Sequence, residues 1–294
     1  MKLHYLLITV FAFSLFSGCK QAEMKLNMST PPFIIDSHIH YNATDEWENS
    51  FIEIYTKYNA MACILVGMNN LERGIAFARA HPDRVIPYAA VNIDSETILE
   101  DIRMVHEMGF KGLGELFARN QWNYNDPKYE PVWDLAEELG LVLLIHTGIL
   151  SNGKISTMRP AFLADIASAH KKLMIHGAHF GNPWYNEAAE ATRRNSNLYF
   201  DITGSSLIKK DENPDYWLEW LWWTPYLGKP HMPKDAVPAF EKILFGSDQD
   251  PAGLEENIVR FNKMLDACGV SEETRAKCYG LTMAKIHGIE VPGQ

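Results

Sequence analysis

From Phe33 onward the chain carries eight short apolar runs: FIIDSHIH, AMACILVGM, RVIPYAAVNI, FKGLGEL, LVLLIH, KLMIHGAH, LYFDIT and KILFGSD. Several are almost continuous in apolar residues, so strands built from them must be covered on both faces, as in a parallel sheet. The segments between them have a helical period. In PVWDLAEELG, Val132, Leu135, Ala136 and Leu139 fall on one face, Pro131 can open the helix and Gly140 can close it. In DSETILEDIRMVHEMG, Asp94 or Ser95 caps, Ile98, Ile102 and Val105 form the stripe, and Gly109 ends it. Eight strands alternating with helices over about 250 residues predict an α/β fold: a single-domain (β/α)8 TIM barrel, with room for distortion. A doubly wound open sheet is the weaker choice, because no glycine-rich phosphate loop follows the first strand.

The 294 residues include 27 basic and 37 acidic side chains, a formal net charge of -10. That balance disfavours non-specific binding to nucleic acid or to an anionic membrane surface. Residues 1–18 have a different character. Lys2 precedes the apolar run LLITVFAFSLF, too short to span a bilayer as a finished helix, and the run closes on SGC at Cys19. This reads as a secretory signal whose FSGC end resembles a bacterial lipobox, with Phe16 where leucine is usual. The expectation is an exported lipoprotein lipidated at Cys19, anchored through that lipid and facing the periplasm or cell exterior. Residues 19–32 then form a polar tether and residues 33–294 the folded domain. Cys63 lies in an apolar run and reads as a buried small hydrophobe. Whether Cys268 and Cys278 pair is left open by spacing alone.

Polar residues fall where the strands stop. His38 and His40 end the first strand, Glu115 the fourth, His146 the fifth, His179 the sixth and Asp248 the eighth. In a parallel barrel these are the C-terminal mouths, where chemistry sits. Residues i and i+2 on a strand share a side, so His38 and His40 aim two imidazoles at one region. Imidazoles and carboxylates together suit zinc, with manganese, iron or nickel as alternatives. One HxH is weak by itself; six such residues at successive strand ends are a strong signal of a centre for one or two ions. His176, three residues before His179, reads as a core or supporting histidine, and Asp36 as a support of the site. Asp201, ending strand seven, is a candidate substrate contact. His81, His106, His170 and His287 read as ordinary surface histidines.

IIDSHIH, GLGEL, LVLLIHTG, HFGNPWY, LYFDITG and ILFGSDQDP resemble the amidohydrolase-related branch of the metal-dependent hydrolase superfamily. The resemblance covers nearly all of the chain after residue 33. It implies that His38, His40 and His146 bind a first metal with Asp248, and that His179 polarises the substrate or binds a second metal. It makes Asp248 and His179 the catalytic pair. Glu115 departs from the relatives that carry a carboxylated lysine at strand four, and is similar to the bridging glutamate of TatD-like deoxyribonucleases. Lys111, four residues earlier, is not placed to substitute.

The reaction expected is hydrolysis of a C–O or C–N bond in a small molecule: a lactone, ester or amide. The alternative is a zinc-dependent decarboxylase of a small aromatic or muconate-type acid, with Arg119 and Arg159 as candidate carboxylate clamps. A non-catalytic ligand-binding lipoprotein is the third reading. PDYWLEWLWWTPYLGKPHMP gathers Tyr216, Trp217, Trp220, Trp222, Trp223 and Tyr226 after strand seven, with His231 beyond. These rings either line the mouth, where one of them contacts substrate or a second subunit of a homodimer, or bury a helix on the barrel.

Overall fold

The computed structural model describes residues 33–118, 123–149, 156–204, 212–228, 232, 234 and 236–291. The signal, Cys19, the tether, Arg119 and His231 lie outside the described residues. Eight strands form one parallel sheet in the order of the sequence: β1 Ile34–His40, β2 Ala60–Gly67, β3 Val85–Ala90, β4 Gly112–Leu116, β5 Val142–Ile145, β6 Ile175–Gly177, β7 Leu198–Asp201 and β8 Ile243–Leu244. All eight apolar runs are strands. β8 meets β1 through separate bonds: Ser37 N–H donates to the Phe245 carbonyl at 2.9 Å and Asp248 N–H to the His38 carbonyl at 2.7 Å. The result is a nearly closed TIM barrel with interleaved helices.

The helices follow from their sequences. α1 (Asp45–Lys57) begins at Thr44, whose hydroxyl accepts from Trp47 N–H, and has Asp45, Glu46 and Glu48 in its first turn, where the helix dipole favours carboxylates. α2 (Leu71–Ala80) packs on β2 and β3. α3 (Ile98–Met108) ends at Gly109, whose φ of 105° is the left-handed cap that glycine adopts freely. Its start differs from expectation, because the cap is Thr97, with no side-chain cap bond. Asp94 instead accepts from Tyr129 Oη at 2.7 Å and Lys128 Nζ at 2.9 Å, contacts that sequence spacing cannot reveal. α4 (Glu130–Glu138) has Pro131 in its first turn. α5 (Pro160–Ala169) and α6 (Tyr185–Arg194) precede β6 and β7.

Period-two alternation sorts the strand residues into two cores. Ile35, Met61, Cys63, Leu65, Ile86, Tyr88, Val142, Leu144 and Leu244 make an inner cluster. Ile34, Ile39, Ala62, Ile64, Val66, Leu113, Leu143 and Ile145 belong to the larger cluster shared with the helices. Cys63 is a buried free thiol as expected, and Cys268 and Cys278 are also free and buried, so they do not form a disulfide. Two histidines are not surface groups. His170 is only 3% exposed. His287 lies within hydrogen-bond reach of Tyr88, 2.8 Å from its hydroxyl, because the last helix folds back under the barrel. No described helix is long and apolar enough to cross a membrane.

Candidate metal centre

β1 does not run straight into the site. Its pairing with β2 passes from Asp36↔Ala62 to Ile39↔Ile64, so three steps on β1 match two on β2. Such a bulge bends a strand and re-aims its side chains. His38 is buried completely while the His40 side chain is 51% exposed, yet both present Nε2 to the same two carboxylates. His38 Nε2 is 3.5 Å from Glu115 Oε2 and 3.4 Å from Asp248 Oδ1. His40 Nε2 is 3.4 Å from each of those oxygens.

A second irregularity carries Glu115. The β4–β5 register passes from Leu113↔Leu143 to Leu116↔Ile145. Gly114 allows it, since a Cβ there would stand 2.7 Å from Leu144 Cβ and 2.9 Å from the Leu144 carbonyl oxygen. Glu115 thereby sits between two groups of histidines. Its Oε2 faces His38 and His40, while its Oε1 is 2.7 Å from His146 Nδ1 and 3.5 Å from His179 Nε2. Lys111 lies before the start of β4 and lines a cavity at the other end of the barrel, so it cannot take this place.

His179 and Asp248 stand just beyond their strands in the left-handed backbone region, at φ 63° and 50°. For non-glycine residues this conformation costs on the order of 1 kcal/mol and recurs at functional sites. Each is held by its own amide. His179 N–H donates to Asp201 Oδ1 at 2.9 Å, and Asp248 N–H to the His38 carbonyl. All six strand-end residues therefore come together, from five strands. The grouping differs from the expected one. His38, His40 and Asp248 offer donor atoms within 4.8 Å of one another, whereas His146 joins Glu115 and His179.

Beneath them lies a layer of fixed acceptors. Asp201 is not a substrate contact, because it is fully buried and its oxygens are taken. Oδ2 accepts from His38 Nδ1 at 3.0 Å and His176 Nε2 at 2.8 Å; Oδ1 accepts from the amides of His179 and Thr203 and from the Thr203 hydroxyl. Sequence placed Asp201 at a strand end without showing that its neighbours fill it. Thr203, which the sequence reading missed, spends its one hydroxyl proton on Asp201 at 2.7 Å and therefore accepts from His179 Nδ1–H at 2.8 Å. That leaves the His179 Nε2 lone pair directed at Glu115 when the ring is neutral. His176 is a supporting residue, and so is Asp36, whose carboxylate accepts from the amides of His38 and Ser247 and from Tyr55 Oη at 2.6 Å.

The donor set calls for a cation. His38 Nε2 and His146 Nε2 are buried and make no hydrogen bond. With His38 Nδ1–H donating to Asp201, the neutral ring points its Nε2 lone pair at two carboxylate oxygens, an arrangement that needs positive charge between them. Two ligands of one tetrahedral ion at about 2.1 Å each lie roughly 3.4 Å apart, which matches the 3.4–3.5 Å separations here. Protonation shows the same demand. Burial lowers the affinity of His38 for a proton, but Glu115 and Asp201 reverse this and hold it well above the usual imidazole range. His40 is pushed up to about 8, burial being outweighed by Asp248 and Glu115. Burial pushes the Glu115 carboxyl up, yet His38, His146 and His179 together hold it well below the usual carboxylate range. Burial and the neighbouring positive rings leave His146 below its ordinary value despite Glu115.

A cavity of about 500 Å3 opens beside His40 and Glu115, lined by Asn69, Asn70, Asn92 and Phe117 among others. A cavity of about 630 Å3 lies at the opposite end, around Met61, Ile86 and Met108, away from these groups. Among the described residues, the tryptophan-rich stretch does not line the mouth cavity. Trp217 and Trp223 are fully buried, and Trp220 stacks on Tyr185 of α6 with ring centroids 4.0 Å apart. Tyr226 bonds through its hydroxyl to Thr274 at 2.9 Å, so the helix-packing alternative holds for these rings. Trp222, half-buried, keeps one face under the Arg193 guanidinium, 5.3 Å from the ring centre.

A parallel eight-stranded barrel with imidazoles and carboxylates gathered at its C-terminal mouth defines a TIM-barrel protein whose donor groups support a divalent metal. The amidohydrolase family model matches residues 55–289, and the chain belongs to that family. No curated protein matches the sequence. Among solved structures the fold is similar to an uncharacterised TIM-barrel protein from Bordetella bronchiseptica, at 14% identity and TM-score 0.66, covering 87% of this chain and 99% of that one. A probable 2-pyrone-4,6-dicarboxylic acid hydrolase from Acinetobacter baumannii, with citric acid bound, is similar at 15% identity and TM-score 0.57, covering 87% and 99%. A 5-carboxyvanillate decarboxylase from Novosphingobium aromaticivorans, complexed with manganese and 4-hydroxy-3-methoxy-5-nitrobenzoic acid, is similar at 12% identity and TM-score 0.58, covering 88% and 97%. Hydrolase and decarboxylase relatives thus share this architecture.

Proposed function

We propose that the protein is a metal-dependent hydrolase that cleaves a C–O or C–N bond of a small lactone, ester or amide. The carrying observation is the buried, unpartnered His38 Nε2 facing the Glu115 and Asp248 carboxylates. His38, His40 and Asp248 would hold the first ion, zinc before manganese, iron or nickel, and Glu115 would share its carboxylate with a second on the His146 and His179 side. Such an ion polarises a carbonyl and makes water nucleophilic near neutral pH. Asp248, partly open to solvent, orients the attacking water and accepts its proton. His179, with Nδ1 committed to Thr203, uses Nε2 either as a ligand when neutral or as a proton donor to the substrate oxygen when charged. The Asn69, Asn70 and Asn92 amides along the cavity suit an uncharged carbonyl compound.

The decarboxylase reading has in its favour the fold shared with the manganese-bound decarboxylase. Against it, Arg159 is engaged by Glu187 and lies over Trp184, 5.2 Å from the ring centre, so it is not free to clamp a carboxylate. Metal analysis of the signal-less protein, with a screen of lactones, esters, amides and aromatic acids, separates the readings. Oxygen-18 from labelled water must enter the product of a hydrolase; carbon dioxide release without that label makes the protein a lyase. Metal without turnover of any kind leaves the binding-protein reading.

For the N-terminus we propose export and lipidation at Cys19, with residues 19–32 as tether and the domain facing the periplasm or exterior. Mass spectrometry of the N-terminal peptide from native membranes tests it; an unmodified Cys19 in a retained signal overturns it.

A further inference from the structure

A second group of metal-type ligands lies on the outer helical layer, on α4 and at the C-terminus of α5. Glu130 and Asp134 stand one helical turn apart on α4 and share a face. His170 caps the C-terminus of α5 and meets that face. Its Nε2 is 3.2 Å from Glu130 Oε1, in no hydrogen-bond geometry, and Nδ1 is 3.7 Å from Asp134 Oδ1 and 3.9 Å from Glu137 Oε2. The histidine is 3% exposed, whereas the Glu130 and Asp134 side chains are 55% and 69% exposed. The buried imidazole thus presents its unbonded Nε2 to the Glu130 carboxylate, with the Asp134 carboxylate beside the same ring on its Nδ1 side.

The surroundings fix the histidine in place. Its amide donates to the Ile166 carbonyl at 2.9 Å and its carbonyl accepts from Asn197 Nδ2 at 2.8 Å. Glu137 is anchored by accepting the amides of Lys172 and Leu173 at 2.7 and 3.2 Å, which keeps its other oxygen on the same side. One donor atom each from Glu130, Asp134 and His170 lies within 4.8 Å of the others. Acidic residues at i and i+4 alone would be an ordinary solvated helix face; the orphaned buried imidazole is what distinguishes this one. Imidazole with carboxylate oxygens selects a borderline divalent ion such as zinc over magnesium or calcium, which take oxygen ligands.

We propose that Glu130, Asp134 and His170 form a peripheral zinc site, separate from the mouth centre. The ion would tie α4 to the turn entering β6, and through linkage raise the stability of the folded state.

The test is zinc titration of the chelator-stripped, signal-less protein by calorimetry, with melting temperature followed in parallel. Wild type should bind one equivalent more than Asp134→Asn, and its melting temperature should rise further with zinc. Asp134 is exposed, so that variant should fold and should keep the activity of the wild type. Glu130→Gln should lose the same equivalent. A variant with His38→Ala and His40→Ala should retain it, which keeps this site independent of the functional reading above. Equal stoichiometry and an equal thermal response in wild type, Asp134→Asn and Glu130→Gln would overturn the proposal.

Discussion

Asp201 Oδ2 lies 3.0 Å from His38 Nδ1, and this contact decides which nitrogen of His38 faces the barrel mouth. The carboxylate holds the proton on Nδ1 and leaves Nε2 to the centre. Asparagine at position 201 keeps the shape but loses the charge, and an amide nitrogen turned towards Nδ1 would favour the wrong tautomer. Asp201→Asn should therefore weaken metal affinity by about 10–100-fold, as loss of an outer-sphere partner does. Chelator competition measures it; an unchanged affinity would show that His38 is oriented by packing alone.

Glu115 divides its two oxygens between two histidine pairs. Glu115→Gln should leave one ion on His38, His40 and Asp248 and lose the more weakly held second. Elemental analysis at saturating metal reads this directly: two equivalents falling to one supports the shared carboxylate, and one equivalent in both proteins makes the centre mononuclear.

His40 must shed a proton to become a ligand, and in the metal-free protein its value is about 8, above the usual 6.5. Protons and metal then compete below pH 8. Apparent metal affinity should fall as pH drops from about 8, by about tenfold per unit for each proton displaced. The sign for the metal-free fold is opposite, since stability from charged His40 is complete below pH 6.5 and is lost as pH rises through 8. Isothermal titration at several pH values should show proton release on binding, and a flat affinity between pH 6 and 9 would contradict it.

Tyr55 donates to the buried Asp36 carboxylate, which holds the amides of His38 and Ser247 on either side of the β1–β8 seam. Tyr55→Phe leaves one buried acceptor oxygen without that donor and should cost about 1–3 kcal/mol. Denaturant unfolding gives the number. A loss below about 0.5 kcal/mol, the low end for a net hydrogen bond, would mean that water takes over the tyrosine's role.

His287 is held down at about 4 by burial, with Lys111 adding to the effect, against an ordinary 6.5. Because the folded state resists its protonation, the stability it contributes is present above pH 6.5 and is lost as pH falls towards 4. His287→Gln should flatten the stability curve in that window. Parallel acid-side slopes for the two proteins would assign the loss to other groups.

The apolar runs were enough to place every strand. A parallel strand buried on both faces must be apolar throughout, and eight of them alternating with amphipathic helices favour a barrel over an open doubly wound sheet. The polar strand ends were equally legible, since His38, His40, Glu115, His146, His179 and Asp248 interrupt patterns that should otherwise stop at neutral turns. The family resemblance carried by those motifs agrees with the amidohydrolase match.

What the sequence left undetermined depended on contacts between distant segments. Period two puts His38 and His40 on one side, but the bulges in β1 and β4 that bring them to Glu115 arise from strand registers. Asp201 looked like a group facing substrate until His38, His176, His179 and Thr203 filled it from other elements. His170 and His287 looked like surface residues until helix packing buried them. The aromatic stretch after β7 could line a mouth or pack a helix by its spacing, and Tyr185 of α6 decided for packing. Apolar patterning is local and so can be read along the chain. Which nitrogen of a histidine carries its proton, and which carboxylate is already satisfied, depends on partners as many as 211 residues away, and only the closed barrel brings them within reach.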